Sequence, residues 1–190
     1  LKKLTHEEIL EVRKKNQSAG RTPIYFLLND IRSLHNVGAI FRVADGIRAE
    51  KIYLCGITGK PPHRMITKTA LGAETSVPWE YCADAAEIAS KLKKSGVQLI
   101  ALEHTDSSIL YSDAKPHAPA CLIIGNEVTG VDQNLVEAAD LAVEIPMMGE
   151  KNSLNASVAA GILAYRMAES LGFTDHSDNF LPKSVDVDRF

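Results

Sequence analysis

Apolar residues along the chain fall into two patterns. In one they are packed into short dense runs; in the other they recur every three or four residues. Pro23–Leu28 (PIYFLL), Lys51–Cys55 (KIYLC), Val97–Leu102 (VQLIAL), Ala120–Ile124 (ACLII) and Leu141–Ile145 (LAVEI) are runs of the first kind. Their length and their β-branched and aromatic content predict buried strands. Thr5-x-x-Glu8 is a capping-box pattern and predicts a helix over about Thr5 to Lys15. Asn36 to Ile47 predicts a second helix, with Asn36 as its N-cap and Val37, Ile40, Phe41 and Ala44 on one face. Asp84-x-x-Glu87 opens a helix that ends at Gly96, and Asp132 to Ala139 reads as another. Ser153 to Ser170 reads as a long Ala-rich helix closed near Gly172, whereas Gly56 to Ser76 reads as a loop with one helical turn. Strands alternating with helices predict an α/β fold with a mostly parallel sheet flanked by helices. The expected organisation is a helical extension over 1–20, one α/β domain over 21–172 and a polar tail over 173–190 that carries Pro182.

A length of 190 residues suits one such domain, and 45% hydrophobic with 24% charged residues is an ordinary globular balance. No apolar run approaches the roughly 18 residues of a membrane span. The first residues turn polar at once with Glu7 and Glu8, so no secretory signal is expected. Three scattered cysteines, Cys55, Cys82 and Cys121, cannot make a disulfide framework and read as buried thiols. There is no C-x-x-C or H-E-x-x-H, and the six histidines lack ligand spacing, so no metal is expected. These features point to the cytoplasm. A net charge of -3 excludes a uniformly basic nucleic-acid coat but leaves room for a local basic patch.

Three stretches are candidates for chemistry. Asn29 to Arg48 passes from a strand through a polar loop into a helix. Between Ile31 and Ala44 it holds Arg32, His35 and Arg42 and no acid, which suits a phosphate. Asn36 and Arg42 are about 1.7 turns apart and so occupy different helix faces. Cys121 to Asp132 runs from an apolar strand into Gly-Asn-Glu-x-x-Gly, where glycines admit close backbone approach and Glu127 offers a charge. Ile145 to Tyr165 closes a strand at Pro146 and opens a helix near Ser153 and Asn155, where backbone N–H groups lack intrahelical partners. Below them Ala156, Ala159, Ala160, Gly161 and Ala164 make a smooth face for close packing. The acid-free run from Lys51 to Ala73, with Lys60, His63, Arg64 and Lys68, is a further polyanion contact in prospect.

Taken in order, these stretches resemble the SpoU (TrmH) branch of the SPOUT RNA methyltransferases. The first motif matches at Asn36, Gly38 and Arg42. The second matches at Gly125-Asn126-Glu127-Val128-Thr129-Gly130. The third matches at Ile145-Pro146-Met147 and Ser153-Leu154-Asn155-Ala156-Ser157, with Ala156 where the family often has Val. The likeness runs from about Ile24 to Glu169. It implies a SPOUT-type α/β knot, in which the last strands and helix thread a deep trefoil. It also implies a homodimer with the cofactor site near the subunit interface. S-adenosylmethionine would lie against Leu102, Glu103, Gly125, Asn126, Gly130, Ile145, Met147, Ser153 and Leu154. The implied reaction is methylation of a ribose 2′-hydroxyl in tRNA or rRNA. In it Arg42 would bind the neighbouring phosphate and stabilise the developing alkoxide. Asn36 would orient the ribose or Arg42, and Glu127 would orient Arg42 or the loop. Ser153 and Asn155 would fix the substrate and cofactor loops. Arg32, His35, Arg42, Lys60, Arg64 and Lys68 would contact RNA.

Two rivals make different predictions. A catalytically silent knotted RNA-binding protein shares the motifs but transfers no methyl group. A nucleotide-dependent oxidoreductase needs G-x-G-x-x-G after its first strand, where this chain has Asn29-Asp30-Ile31-Arg32.

Overall fold

All five dense runs are strands, and each is mostly apolar because helices cover both faces of the sheet. The computed structural model describes residues 2–17 and 20–173; the tail beyond 173 lies outside the described residues. The sheet comprises β1 (Thr22–Asn29), β2 (Ala49–Cys55), β3 (Trp79–Cys82), β4 (Gln98–Leu102), β5 (Ile109–Leu110), β6 (Ala120–Ile124) and β7 (Leu141–Glu144). Every pairing is parallel, and the order is β3-β2-β1-β6-β4-β7-β5.

Strand side chains alternate between two cores. Ile24, Phe26 and Leu28 of β1, with Leu122 and Ile124 of β6, face one side. Leu27 of β1 and Cys121 and Ile123 of β6 face the other. The first core is covered by α2 (Leu34–Gly46), α3 (Arg64–Ala70), α4 (Ala73–Ser76) and α7 (Ala156–Ser170). The second is covered by α5 (Ala85–Lys94) and α6 (Gln133–Ala138). Helices on both faces are what parallel connections require. Phe26 is fully buried at the centre of the larger core. Phe26→Ala is therefore expected to lower the unfolding free energy by about 3–5 kcal/mol, read from denaturant midpoints.

Residues 2–17 hold α1 (His6–Gln17), which begins as its sequence dictates. Thr5 N–H donates to Glu8 at 2.6 Å, and Glu8 N–H donates back to Thr5 Oγ1 at 3.3 Å. Asp84 caps α5 as expected, accepting from Ala86 N–H at 2.8 Å.

Three local expectations fail. The segment 56–76 is not a loop but contains α3 and α4, followed by the edge strand β3. Asn36 does not cap α2. Ser33 does, its hydroxyl accepting from Asn36 N–H at 3.3 Å, so Asn36 lies inside the helix and is buried. The last helix begins at Ala156 rather than Ser153, capped by Asn155. Cys55 and Cys121 are buried and Cys82 is half-buried. Burial, with Cys82 nearby, pushes the Cys55 thiol up to about 12; burial likewise raises Cys121, so both stay protonated and structural. No helix among the described residues is long and apolar enough to cross a membrane.

Candidate active site

The C-terminal ends of parallel strands are where an α/β fold places ligands. Here the adjacent strands β6, β4 and β7 end at Ile124, Leu102 and Glu144. A cavity of about 380 Å³ opens above them, within the range of small-molecule sites. The segment from Ser153 to Asn155 and the first turns of α7, at Ala156 and Ala159, close it on the far side. α7 reaches this position by packing on α2, where Gly161 faces the Val43 side chain. Of the smooth face expected of α7, Gly161 serves this crossing, Ala160 and Ala164 are buried in the core, and Ala156 and Ala159 line the cavity.

The loop after β6 is the most constrained wall. Asn126 and Gly130 exchange two backbone hydrogen bonds of 2.9 Å, which folds 125–130 into a tight closed turn. The Asn126 side chain pins that turn with both ends of its amide. Its Nδ2 donates to Asp30 O at 2.8 Å, and its Oδ1 accepts from Val128 N–H at 2.9 Å and from Thr129 N–H at 3.2 Å. Gly130 has φ +75°, and a Cβ there would lie 2.1 Å from Glu103 Oε2. Both demands select glycine. The Glu103 carboxylate in turn accepts from Val131 N–H at 2.8 Å and His104 N–H at 2.9 Å, joining the end of β4 to this loop.

Glu127 stands at the tip of the turn and faces α2. Its Oε2 accepts from Arg32 N–H at 2.9 Å, and its Oε1 accepts from Ser33 N–H at 3.0 Å and from Asn36 Nδ2 at 2.8 Å. Asn155 Nδ2 then donates to Asn36 Oδ1 at 3.0 Å. Finally Asn155 Oδ1 accepts from Ser157 N–H at 3.0 Å and Val158 N–H at 3.3 Å at the start of α7. An ionised carboxylate only accepts, so it fixes the Asn36 amide and, through it, the Asn155 amide. One residue from each of the three motifs takes part in this relay.

Partial burial pulls the Glu127 carboxyl upward. Donation from Arg32 N–H, the Asn36 amide, its own backbone and Ser33 N–H outweighs that and holds it below its ordinary 4.5. A lowered carboxyl stabilises the fold above its unfolded value, and the benefit fades as pH falls through the folded value. The difference in melting temperature between wild type and Glu127→Gln is therefore expected to be constant from pH 7 to about 5. It should shrink below about pH 4.5 in thermal melts across that range.

The walls combine apolar side chains, among them Leu102, Ile124, Val143, Ile145 and Leu154, with Glu103, Glu127, Glu144 and His104. Among the described residues, no lysine or arginine lines the cavity. A lining that is part apolar and part carboxylate suits a ligand with an apolar part and a cationic part.

Of the residues singled out in the sequence, Leu102, Glu103, Gly125, Asn126, Glu127, Gly130, Ile145, Ser153, Leu154 and Asn155 line the cavity. Asn36 reaches it through Glu127 and Asn155. Met147 is half-buried and lies outside the lining. Arg32, His35, Arg42, Lys60, Arg64 and Lys68 are exposed and lie outside it as well. The Arg42 side chain makes no hydrogen bond or ion pair with any described residue. Sequence reasoning missed His104 and Glu144, which meet at 3.4 Å on the rim, with Ser108 donating to Glu144. Ser108 donation, with a lesser contribution from His104, lowers the Glu144 carboxyl. They come together because β4 and β7 are neighbours in the sheet, a pairing that gave no signal in the sequence.

This architecture is shared with known proteins. The chain is 30% identical over 158 residues to the Aquifex aeolicus tRNA (guanosine(18)-2′-O)-methyltransferase, covering 83% of this chain and 71% of that one. It is 29% identical to the Neisseria meningitidis 23S rRNA (guanosine-2′-O-)-methyltransferase RlmB, covering 83% of this chain and 60% of that one. The AdoMet-bound rRNA methyltransferase from Sinorhizobium meliloti superposes with a TM-score of 0.71 at 28% identity, over 78% of this chain and 56% of that one. The chain spans between 56% and 71% of the length of the curated relatives it matches. The model of the SpoU rRNA Methylase family matches residues 23–165, which include all three motifs and every wall of the cavity. On its sequence and on its parallel α/β architecture alike, the chain belongs to the SpoU rRNA methylase family.

Proposed function

We propose that this chain is an S-adenosylmethionine-dependent methyltransferase acting on a ribose 2′-hydroxyl of tRNA or rRNA. The observation that carries the reading is the relay from Glu127 through Asn36 to Asn155 at the mouth of a carboxylate-lined cavity. The chemistry of the lining fits the cofactor, whose sulfonium and ammonium are cations and whose adenine is flat and apolar. When bound, the cofactor supplies an electrophilic methyl group. Leu102, Ile145 and Leu154 would hold the heterocycle, and Glu103, Gly125, Asn126 and Gly130 the polar parts. Met147 would reach the cofactor only through its backbone.

The protein's own work is to position the hydroxyl and to manage its charge and proton. A guanidinium stays protonated far above neutral pH, so Arg42 does not serve as the base. It grips the adjoining phosphate and stabilises the alkoxide as it forms, while the proton leaves to that phosphate or to water. Asn36, Glu127, Ser153 and Asn155 fix the loops around the hydroxyl, and Arg32 and His35 approach the RNA beside it. Arg42 stands outside the cavity of its own chain. Assembly as a homodimer, with the cavity near the subunit interface, is the arrangement that would bring a guanidinium to it. The threaded C-terminal knot and a cytoplasmic location belong to the same reading.

Purified protein, tritiated S-adenosylmethionine and unmodified bulk RNA test it. Label passing to RNA supports the proposal. Cofactor binding in calorimetry without transfer to tRNA or rRNA would instead overturn the proposed reaction and favour the silent alternative.

A further inference from the structure

We infer that Arg64 and Lys68 of α3, together with Lys60, form an RNA-phosphate docking surface separate from the methyl-transfer cavity and held in fixed register with it. The inference rests on the proposed RNA substrate and deepens it. The two faces of α3 divide sharply. Ile66 and Ala70 are buried in the core, while Arg64 and Lys68 each lie two residues away, about 200° around the helix, and are exposed. They are one turn apart on the same side. Neither makes a hydrogen bond or ion pair with any described residue. Lys60 is held differently, with its Nζ 4.2 Å from the centroid of the half-exposed Tyr81 ring. No acid occurs from Lys51 to Ala73, and the next one, Glu74, accepts from Gly72 N–H at 3.0 Å. A solvated helix face in a chain of net charge -3 would be expected to carry acids one turn from its bases; this one carries none.

The register comes from α2. A Cβ on Gly38 would lie 2.1 Å from Thr69 Oγ1 and 2.4 Å from Ile66 O, so the backbones of α2 and α3 touch there. The Thr69 hydroxyl donates to His35 O at 3.2 Å. The next residue, Asn36, is the middle of the Glu127–Asn155 relay. The cations of α3 are thus one rigid helix contact from the cavity wall. Phosphates bound on α3 would fix where a neighbouring ribose falls, without touching the reacting atoms. This surface governs RNA affinity and not the transfer step.

The test compares Arg64→Gln/Lys68→Gln with Lys91→Gln/Lys94→Gln. The second pair removes the same charge from α5, on the opposite face of the sheet. The probe is a fluorescein-labelled 20-nucleotide RNA stem-loop, titrated by anisotropy from 50 to 200 mM KCl, alongside steady-state transfer to bulk RNA. For the α3 pair, binding should weaken about tenfold and the log–log salt slope should fall by about 1.5. KM for RNA should rise in parallel with kcat within about twofold, and the α5 pair should change binding by less than about twofold. Equal loss in both pairs, or no loss in the α3 pair, overturns the docking surface. A drop in kcat at unchanged KM overturns its separation from catalysis. Wild type that binds the stem-loop through α3 yet methylates no RNA overturns the proposed reaction and leaves the docking surface standing.

Discussion

Arg42→Ala is expected to lower kcat/KM for RNA methylation by about 10²- to 10³-fold, ~2.7–4 kcal/mol of transition-state stabilisation, with cofactor affinity within about twofold. The fold should be indifferent. Arg42 is exposed and without a side-chain partner among the described residues, and such surface changes stay within about 0.5 kcal/mol. The larger effect should fall on the chemical step, because the guanidinium meets the alkoxide only as charge develops on the ribose oxygen, whereas its phosphate contact is made in the bound state as well. Arg42→Lys keeps the charge but loses the planar fork, so it should recover only part of the rate. The measurement is steady-state transfer of tritiated methyl groups, with cofactor affinity followed by calorimetry. Methylation of Arg42→Ala within about tenfold of wild type, ~1.4 kcal/mol, would remove the residue from the centre of the mechanism.

Glu127→Gln is expected to reduce methyl transfer by about 10- to 100-fold through orientation alone. Glu127 accepts three hydrogen bonds and donates none. A glutamine must turn its NH₂ toward at least one of those donors. If it meets the Asn36 amide, Asn36 must flip and present its own NH₂ to Asn155. Asn155 must then flip in turn and gives up the Ser157 and Val158 N–H groups that it caps. Loss of a helix cap costs about 1 kcal/mol. One isosteric change in the second motif thus reverses two amides, one in each of the other two motifs. The same logic predicts its repair. In Glu127→Gln/Asn36→Asp, an acceptor-only residue again sits between two amide donors, and the double variant should be more active than Glu127→Gln alone. Additive losses in this cycle would show that Glu127 and Asn36 act independently.

What the sequence disclosed, and what it concealed, follows from burial. The five inner strands were legible because helices cover both faces of the sheet and most of their residues are apolar. The edge strands β3 and β5 were not, since Trp79–Cys82 and Ile109–Leu110 are only partly buried and are four and two residues long. α3 hid behind Pro61 and Pro62 and ends at Leu71, a non-glycine residue at φ 52°, so neither usual end signal marked it. Asn36 misled for an instructive reason. A polar amide near a helix start reads as a cap, yet its partners lie 91 and 119 residues away. The local cap, Ser33, is an ordinary serine with no pattern to single it out. The cavity residues that carry motifs were found in advance. His104 and Glu144 became visible only when β4 and β7 proved to be neighbours, a pairing that strand patterns do not reveal.

The central question is which atom receives the methyl group. RNA labelled by the wild-type protein with tritiated S-adenosylmethionine would be digested to nucleosides and separated by chromatography with mass detection. The label is expected to co-elute with 2′-O-methylnucleosides and to disappear with Arg42→Ala. Label on a base, or RNA that stays unlabelled while the cofactor is bound, would contradict the proposed reaction.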